Sequence, residues 1–355
     1  TTRRTFMDFT EVLPLNEKAM IAAKERVDSL TKPLGSLGKL EEYAIKLAGI
    51  RGHMGGTLTK RAVLVFAADN GIYEQGITPV PQEVTPIQTI NIANGIAGVN
   101  ALAAQAGADV SVYNVGVAQN ISRKNIHNVL VMNGTNDMTQ GAAMTREQCE
   151  RAIKVGMDAV AEHADYDIIG LGEMGICNTS TTAAVGAVLL HKTAEEMTGK
   201  GAGITDEQYN KKITAIKRAI DVNSPDPSDP IDVLSKVGGL DIAAMAGAYI
   251  ACAHYKIPVV IDGFISSCAA LIAKLLVPMS TAYMFASHKS YEQGFTFISS
   301  ALGLTPALTL DMRLGEGSGC PLMFYILEAS LRMLEDMGTF AEGSLDPSEF
   351  IDIRG

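Results

Sequence analysis

Four carboxylates stand where an apolar run gives out against glycine: Asp69 in AADNG, Glu173 in GLGEMG, Asp262 in IDGF and Glu316 in RLGEGSG. Carboxylates gathered in one place are the makings of acid–base or electrostatic catalysis. Aspartate before glycine after a strand is also ordinary turn or cap chemistry, which suffices for Asp69 and Asp262 taken singly. Glutamate caps poorly, so Glu173 and Glu316 point to chemistry. Both open small-residue stretches, GEMGICNTSTTAAV and GEGSGCPLMFY, that lead towards helices. Glycine backbone and helix N–H groups suit a phosphate, although neither stretch is a Walker sequence or GxGxxG. Cations to accompany a phosphate lie in GKGAG and in Lys211, Lys212 and Lys217, most of which suit a solvated helix face.

Acids at such positions need a sheet to hold them. The runs at 61–71, 108–117, 166–175 and 257–264 are nearly continuous and rich in β-branched residues, the pattern of strands covered on both faces. Helical stretches alternate with them: QTINIANGIAGVNALAAQAGA, EQCERAIKVGMDAVAEHA, STTAAVGAVLLHKTAEEM, DEQYNKKITAIKRAIDVN and GLDIAAMAGAYIACAHYK. The alternation predicts an α/β fold with a parallel sheet and right-handed crossovers. Ligands of open parallel sheets bind outside the carboxyl ends of the strands, so the four acids are expected to share one crevice. LNEKAMIAAKERVDSL and GKLEEYAIKLAGI read as two helices around a KPLGSLG break, and 320–340 as a third. Residues 1–56 with 320–355 are expected to form a small helical subdomain beside an α/β catalytic domain at 57–319.

A chain of 355 residues, 47% hydrophobic and 19% charged, buries a large core, and no low-complexity linker divides it. Its formal charge of -10 disfavours nucleic acid and anionic membranes as partners. No charge-free apolar stretch reaches the roughly 18 residues of a membrane span, and the start lacks a secretion-type apolar run; a cytoplasmic location is expected. The five cysteines and six histidines are scattered without metal-ligand spacing, so neither a disulfide framework nor a metal is expected. In NSPDPSDPIDVL, Asp226, Asp229 and Asp232 alternate with prolines and suit a rigid loop capping a helix better than a calcium site. From the residues alone this is an α/β enzyme for a small phosphorylated ligand, its reaction unnamed.

KPLGSLGKLE, FAADNGIYEQG followed by PQEVTPIQT, GLGEMGICNTSTTAA, DVLSKVGGLDIAAMAG, PVVIDGFISSCAAL, SHKSYEQG and RLGEGSG, in that order, resemble the nicotinate-nucleotide:dimethylbenzimidazole phosphoribosyltransferase (CobT) family. The resemblance runs from about residue 15 to 340. It implies a Rossmann-like sheet with a small helical domain, a dimer and no cofactor beyond the substrate nicotinate mononucleotide. It further implies transfer of 5-phosphoribosyl to an aromatic lower-ligand base for cobamide synthesis, with inversion to the α anomer and release of nicotinate.

The family's catalytic base falls on Glu316. Glu173 and Lys212 match its ribose neighbourhood. Gly175, Asn178, Thr179, Gly203, Gly263, Ser287 and Gly317 match the loops around the phosphate, and Val80, Gln88, Met174 and Leu314 the acceptor pocket. Two departures stand out. Asn70 replaces a histidine, and Val80 replaces a serine whose hydroxyl suits the second nitrogen of a benzimidazole. Valine offers that nitrogen nothing, so phenol or p-cresol is an expected acceptor alongside benzimidazoles. Members that activate phenols resemble heterodimers, so the partner is expected to be a second copy or a related subunit. The competing expectation is a non-catalytic or weakly active paralogue supporting such a heterodimer.

Overall fold

The structure is a computed structural model of the chain and describes residues 11–200 and 203–354. In chain order its elements are α1 (Glu17–Ser29), α2 (Lys39–Arg51), β1 (Arg61–Ala68), α3 (Val84–Ala93), α4 (Gly98–Gln105), β2 (Ala108–Gly116), β3 (His127–Asn128), α5 (Arg146–Ala161) and β4 (Ile168–Met174). Then follow α6 (Asn178–Leu189), α7 (Ala194–Met197), α8 (Asp206–Asn223), α9 (Pro230–Val237), α10 (Leu240–His254), β5 (Val259–Ile261), α11 (Phe264–Leu276), β6 (Met284–Ala286), α12 (Phe295–Leu302) and α13 (Cys320–Asp336).

The strands form one parallel sheet in the order β3-β2-β1-β4-β5-β6. The α/β fold with a parallel sheet is therefore as expected. This is the doubly wound order, and its switch point lies between β1 and β4, where a crevice opens at the carboxyl edge. Period-two alternation divides the core. Leu64, Phe66, Ile169 and Leu171 face the layer that holds α5, α6, α10 and α11, whereas Val63, Val65, Ile168 and Val260 face the layer of α2, α4 and α13. β1, β4, β5 and β6 are apolar over most of their length because both of their faces are covered, whereas β3 at the sheet edge is polar and exposed.

Three expectations shift in detail. The stretch read as one helix from Gln88 splits into α3 and α4 at Gly95, whose φ of +81° ends the first. The stretch from Ser180 to Met197 likewise breaks after Leu189, at His191 with its left-handed backbone, before Thr193 caps α7. The tail helix α13 ends at Asp336. Its first turns lie on the sheet through Met323, Phe324 and Leu327, and its last turn packs Met333 and Leu334 against Val27 and Leu30 at the end of α1 and Ala44 of α2.

Candidate active site

β4 carries Gly170 and Gly172 on the face turned to α13. A Cβ on Gly172 would strike the Glu316 carbonyl, so the bare strand lets the RLGEGSG loop lie directly on the sheet. From β5 the carboxylate of Asp262 pins that loop, accepting the N–H of Gly317 at 3.1 Å and of Gly319 at 2.7 Å.

The pinned loop runs through three successive left-handed residues, Gly315, Glu316 and Gly317, with φ of +84°, +64° and +83°. Only the middle one carries a Cβ, at a strain of roughly 1–2 kcal/mol. The strained backbone turns the Glu316 side chain inward, where the residue is 4% exposed. Its Oε1 accepts Gln88 Nε2 at 2.6 Å and its Oε2 accepts the Val99 N–H at 3.1 Å. Gln88 is oriented in turn by Asn91, whose Nδ2 donates to Gln88 Oε1 at 3.0 Å. A strained glutamate with both oxygens aligned by donors is a preorganised proton acceptor.

Glu173, 6% exposed at the end of β4, faces the same cleft and accepts hydrogen bonds from Asn178 Nδ2 and the Glu316 N–H. Asn178 also donates to Asp241 Oδ2 at 3.0 Å, from the start of α10. Burial, and then the charge of Asp241, push the Glu173 carboxyl up to about 8. Burial likewise raises Asp241 to about 6 and Asp262 to about 7, the latter against the two loop N–H groups. Lys212 is the exception on its helix. Lys211 and Lys217 pair on the surface with Glu207 and Glu195, whereas Lys212 is 4% exposed and donates to Thr179 Oγ1 at 2.9 Å and Gly199 O at 3.2 Å. Burial pulls its ammonium below the usual lysine range.

These groups meet in a cleft of about 350 Å³. Glu316, Glu173, Asp262, Lys212, Gly175, Asn178, Thr179 and Gly263 line its polar part. Val80, Gln88, Met174 and Leu314 line the other part, joined by Ile77 and Val84. Three expected residues stand back. Ser287 is fully buried, and its hydroxyl donates to Asp262 O at 3.0 Å; the Gly317 backbone is held behind the wall by Asp262; Gly203 lines an adjoining recess with Lys200 and Arg313.

The shared crevice needs one correction. Asp69 is buried outside it, its Oδ2 taking the Ala118 N–H at 2.8 Å, so it serves as the loop anchor that turn chemistry allowed. Asn70 is also buried, donating to Ile176 O at 3.2 Å. Asp229 caps α9 through the N–H groups of Ile231 and Asp232, with Pro230 in the first turn. Sequence reasoning missed Asp241 and His288. Asp241 sits in the quoted KVGGLD block and His288 in SHKSYEQG, but neither follows a strand it had recognised. Among the described residues no three His, Cys, Asp or Glu side chains gather as a metal-binding group, and no helix is long and apolar enough to cross a membrane.

A doubly wound sheet with carboxylates, a buried lysine and an apolar wall converging at its carboxyl edge makes the cleft of an α/β enzyme for a small ligand. Residues 12–345 match a family described as Phosphoribosyltransferase, and the chain belongs to that family. It is 43% identical over 342 residues to a nicotinate-nucleotide–dimethylbenzimidazole phosphoribosyltransferase of Clostridium perfringens, covering 96% of this chain and 95% of that one. The enzyme of the same name from Ruminiclostridium cellulolyticum is 44% identical over 334 residues, covering 94% and 95%. Among solved structures, CobT from Thermus thermophilus superposes with a TM-score of 0.88 at 37% identity, covering 93% of this chain and 99% of that one.

Proposed function

We propose that this phosphoribosyltransferase moves 5-phosphoribosyl from nicotinate mononucleotide to an aromatic lower-ligand base, giving an α-ribotide for cobamide synthesis and releasing nicotinate. The observation that carries the reading is Glu316, strained inward and held by Gln88 and Val99 between the apolar wall and the polar loops. An acceptor on the apolar wall directs its N–H or O–H at Glu316. As its heteroatom bonds to the anomeric carbon, the carboxylate takes the proton and the C–N bond breaks, nicotinate leaving with the electron pair. Attack on the face opposite the leaving pyridinium inverts the centre. General base help of this kind is worth roughly 10²–10⁴-fold. Glu173, its carboxyl pushed up to about 8 by burial and then by Asp241, is favoured to ionise as the pyridinium of the nucleotide arrives and then faces the positive charge that spreads over the ribose. Lys212, Thr179 and the backbone of Gly175, Gly203 and Gly263 serve the phosphate, with Asn178 placing Glu173.

The acceptor we favour has one polar edge, as phenol and p-cresol do. Val80 offers hydrocarbon where a second ring nitrogen would lie, and leaving that nitrogen unpaired costs about 1–3 kcal/mol. Dimethylbenzimidazole is the second reading, favoured by the names of the relatives and by Thr78, which lines the cleft and accepts the Val80 N–H while keeping its own hydroxyl proton to donate. Assembly is with a second copy or with a related subunit. The test is turnover of phenol, p-cresol, dimethylbenzimidazole and adenine by the wild type and Val80→Ser, alone and with any co-encoded related chain. Phenols are expected to be used, with Val80→Ser shifting preference towards dimethylbenzimidazole by roughly tenfold. Use of dimethylbenzimidazole with no phenol product would sink the phenolic assignment.

A further inference from the structure

His288 follows β6 and lines the cleft beside Gly263, 3% exposed. Its Nδ1 lies 3.0 Å from Ser287 Oγ. The Ser287 hydroxyl already donates to Asp262 O at 3.0 Å, and a carbonyl can only accept. With its one proton committed, Ser287 Oγ must receive the Nδ1–H of His288. Asp262 Oδ1, 3.8 Å from Nδ1, stands on the side that favours a proton there. Burial holds the ring neutral by lowering its pKa. A neutral imidazole with its proton on Nδ1 carries a lone pair on Nε2.

That Nε2 has no hydrogen-bond partner among the described residues. It lies beside Gly263, which also lines the cleft: a Cβ there would sit in van der Waals contact, 3.6 Å from Nε2 and 3.7 Å from Ser290 Oγ, and its absence leaves that side of the ring uncovered. The protein has thus placed a bare acceptor, fixed by two partners on its other side, in the wall of the nucleotide end of the cleft. An acceptor needs a donor from the ligand. On the donor substrate proposed above, on which this inference rests, the pyridinium ring has no N–H, its carboxylate is ionised, and an ionised phosphate would meet the lone pair unfavourably. The 2′- and 3′-hydroxyls of the ribose are what remains.

We infer that His288 is a substrate-specificity residue whose Nε2 accepts a hydrogen bond from a ribose hydroxyl, so that the enzyme selects ribonucleotide over deoxyribonucleotide donors. His288→Asn keeps an N–H near Ser287 but ends short of Nε2, whereas His288→Gln places its carbonyl oxygen at about the depth of Nε2. Calorimetric titration of nicotinate mononucleotide and its 2′-deoxy and 3′-deoxy analogues into wild type and both variants separates the roles. In the wild type one of the two deoxy analogues binds more weakly, by roughly three- to tenfold. In His288→Asn the parent nucleotide weakens by that factor and the penalty for the analogue vanishes; in His288→Gln the penalty persists. The inference is overturned if His288→Asn binds the nucleotide and keeps the full deoxy penalty, or if it weakens all three ligands and inorganic phosphate alike. Failure of the wild type to bind the nucleotide at all would overturn the donor reading, and this inference with it.

Discussion

Glu316 keeps its carboxylate in place through a backbone conformation that most side chains avoid, and its acidic neighbours do so through burial. Glu173, Asp241 and Asp262 all hold protons more tightly in the fold than in an unfolded chain, the first because burial and then Asp241 oppose its charge. Between the ordinary carboxylate range and their raised values the folded state therefore binds more protons, so stability is present below about pH 4 and is lost as pH rises towards 8. Asp241→Asn removes one such group and relieves Glu173. Its unfolding free energy is expected to fall less than that of the wild type between pH 5 and 8, by on the order of 2 kcal/mol; parallel slopes against pH in calorimetry would refute this. Glu173 and Glu316 were legible in the sequence because glutamate between glycines has little structural use. Asp241 and His288 were not: each is placed by a contact with a distant part of the chain, Asp241 by Asn178 and His288 by Asp262 beyond its neighbour Ser287.

Among the elements, β4 does most to place the site, and it does so by what it lacks. Gly170 leaves room for Cys320 and Phe324 of α13, and Gly172 for the backbone of Glu316 itself. Gly172→Ala is expected to lose about 1–3 kcal/mol through overpacking. By pushing the base out of line it should also lower kcat roughly a hundredfold in protein that remains folded. Wild-type kcat and an unchanged melting temperature would show that the loop does not depend on that contact. Four strands were readable as buried apolar runs, because a parallel sheet covered on both faces leaves no polar alternation to blur them. β3 and β6 were not readable: β3 is two exposed polar residues, and β6 is only MFA, without the longer β-branched run that marks β5, yet it is the strand that brings Ser287 and His288 to the cleft. The helix breaks at Gly95 and His191 were hidden inside apolar stretches that continue on either side.

For the whole molecule, an acidic chain with a net charge of -10 is set to receive an anionic nucleotide. The cations that line its cleft, Lys200, Lys212 and Arg313, are therefore its local means of attraction. Composition disfavoured nucleic acid and membrane surfaces at the start; the order of the quoted blocks, more than any one of them, carried the family. The central claim is that Glu316 is the base for phosphoribosyl transfer, and the most direct measurement is nicotinate release from nicotinate mononucleotide by the wild type and Glu316→Gln. The account predicts release that requires an aromatic acceptor and falls roughly 10²–10⁴-fold in kcat in the variant, with the KM for the nucleotide little changed. Release that continues at the wild-type rate in Glu316→Gln, or that proceeds without any acceptor, would contradict it.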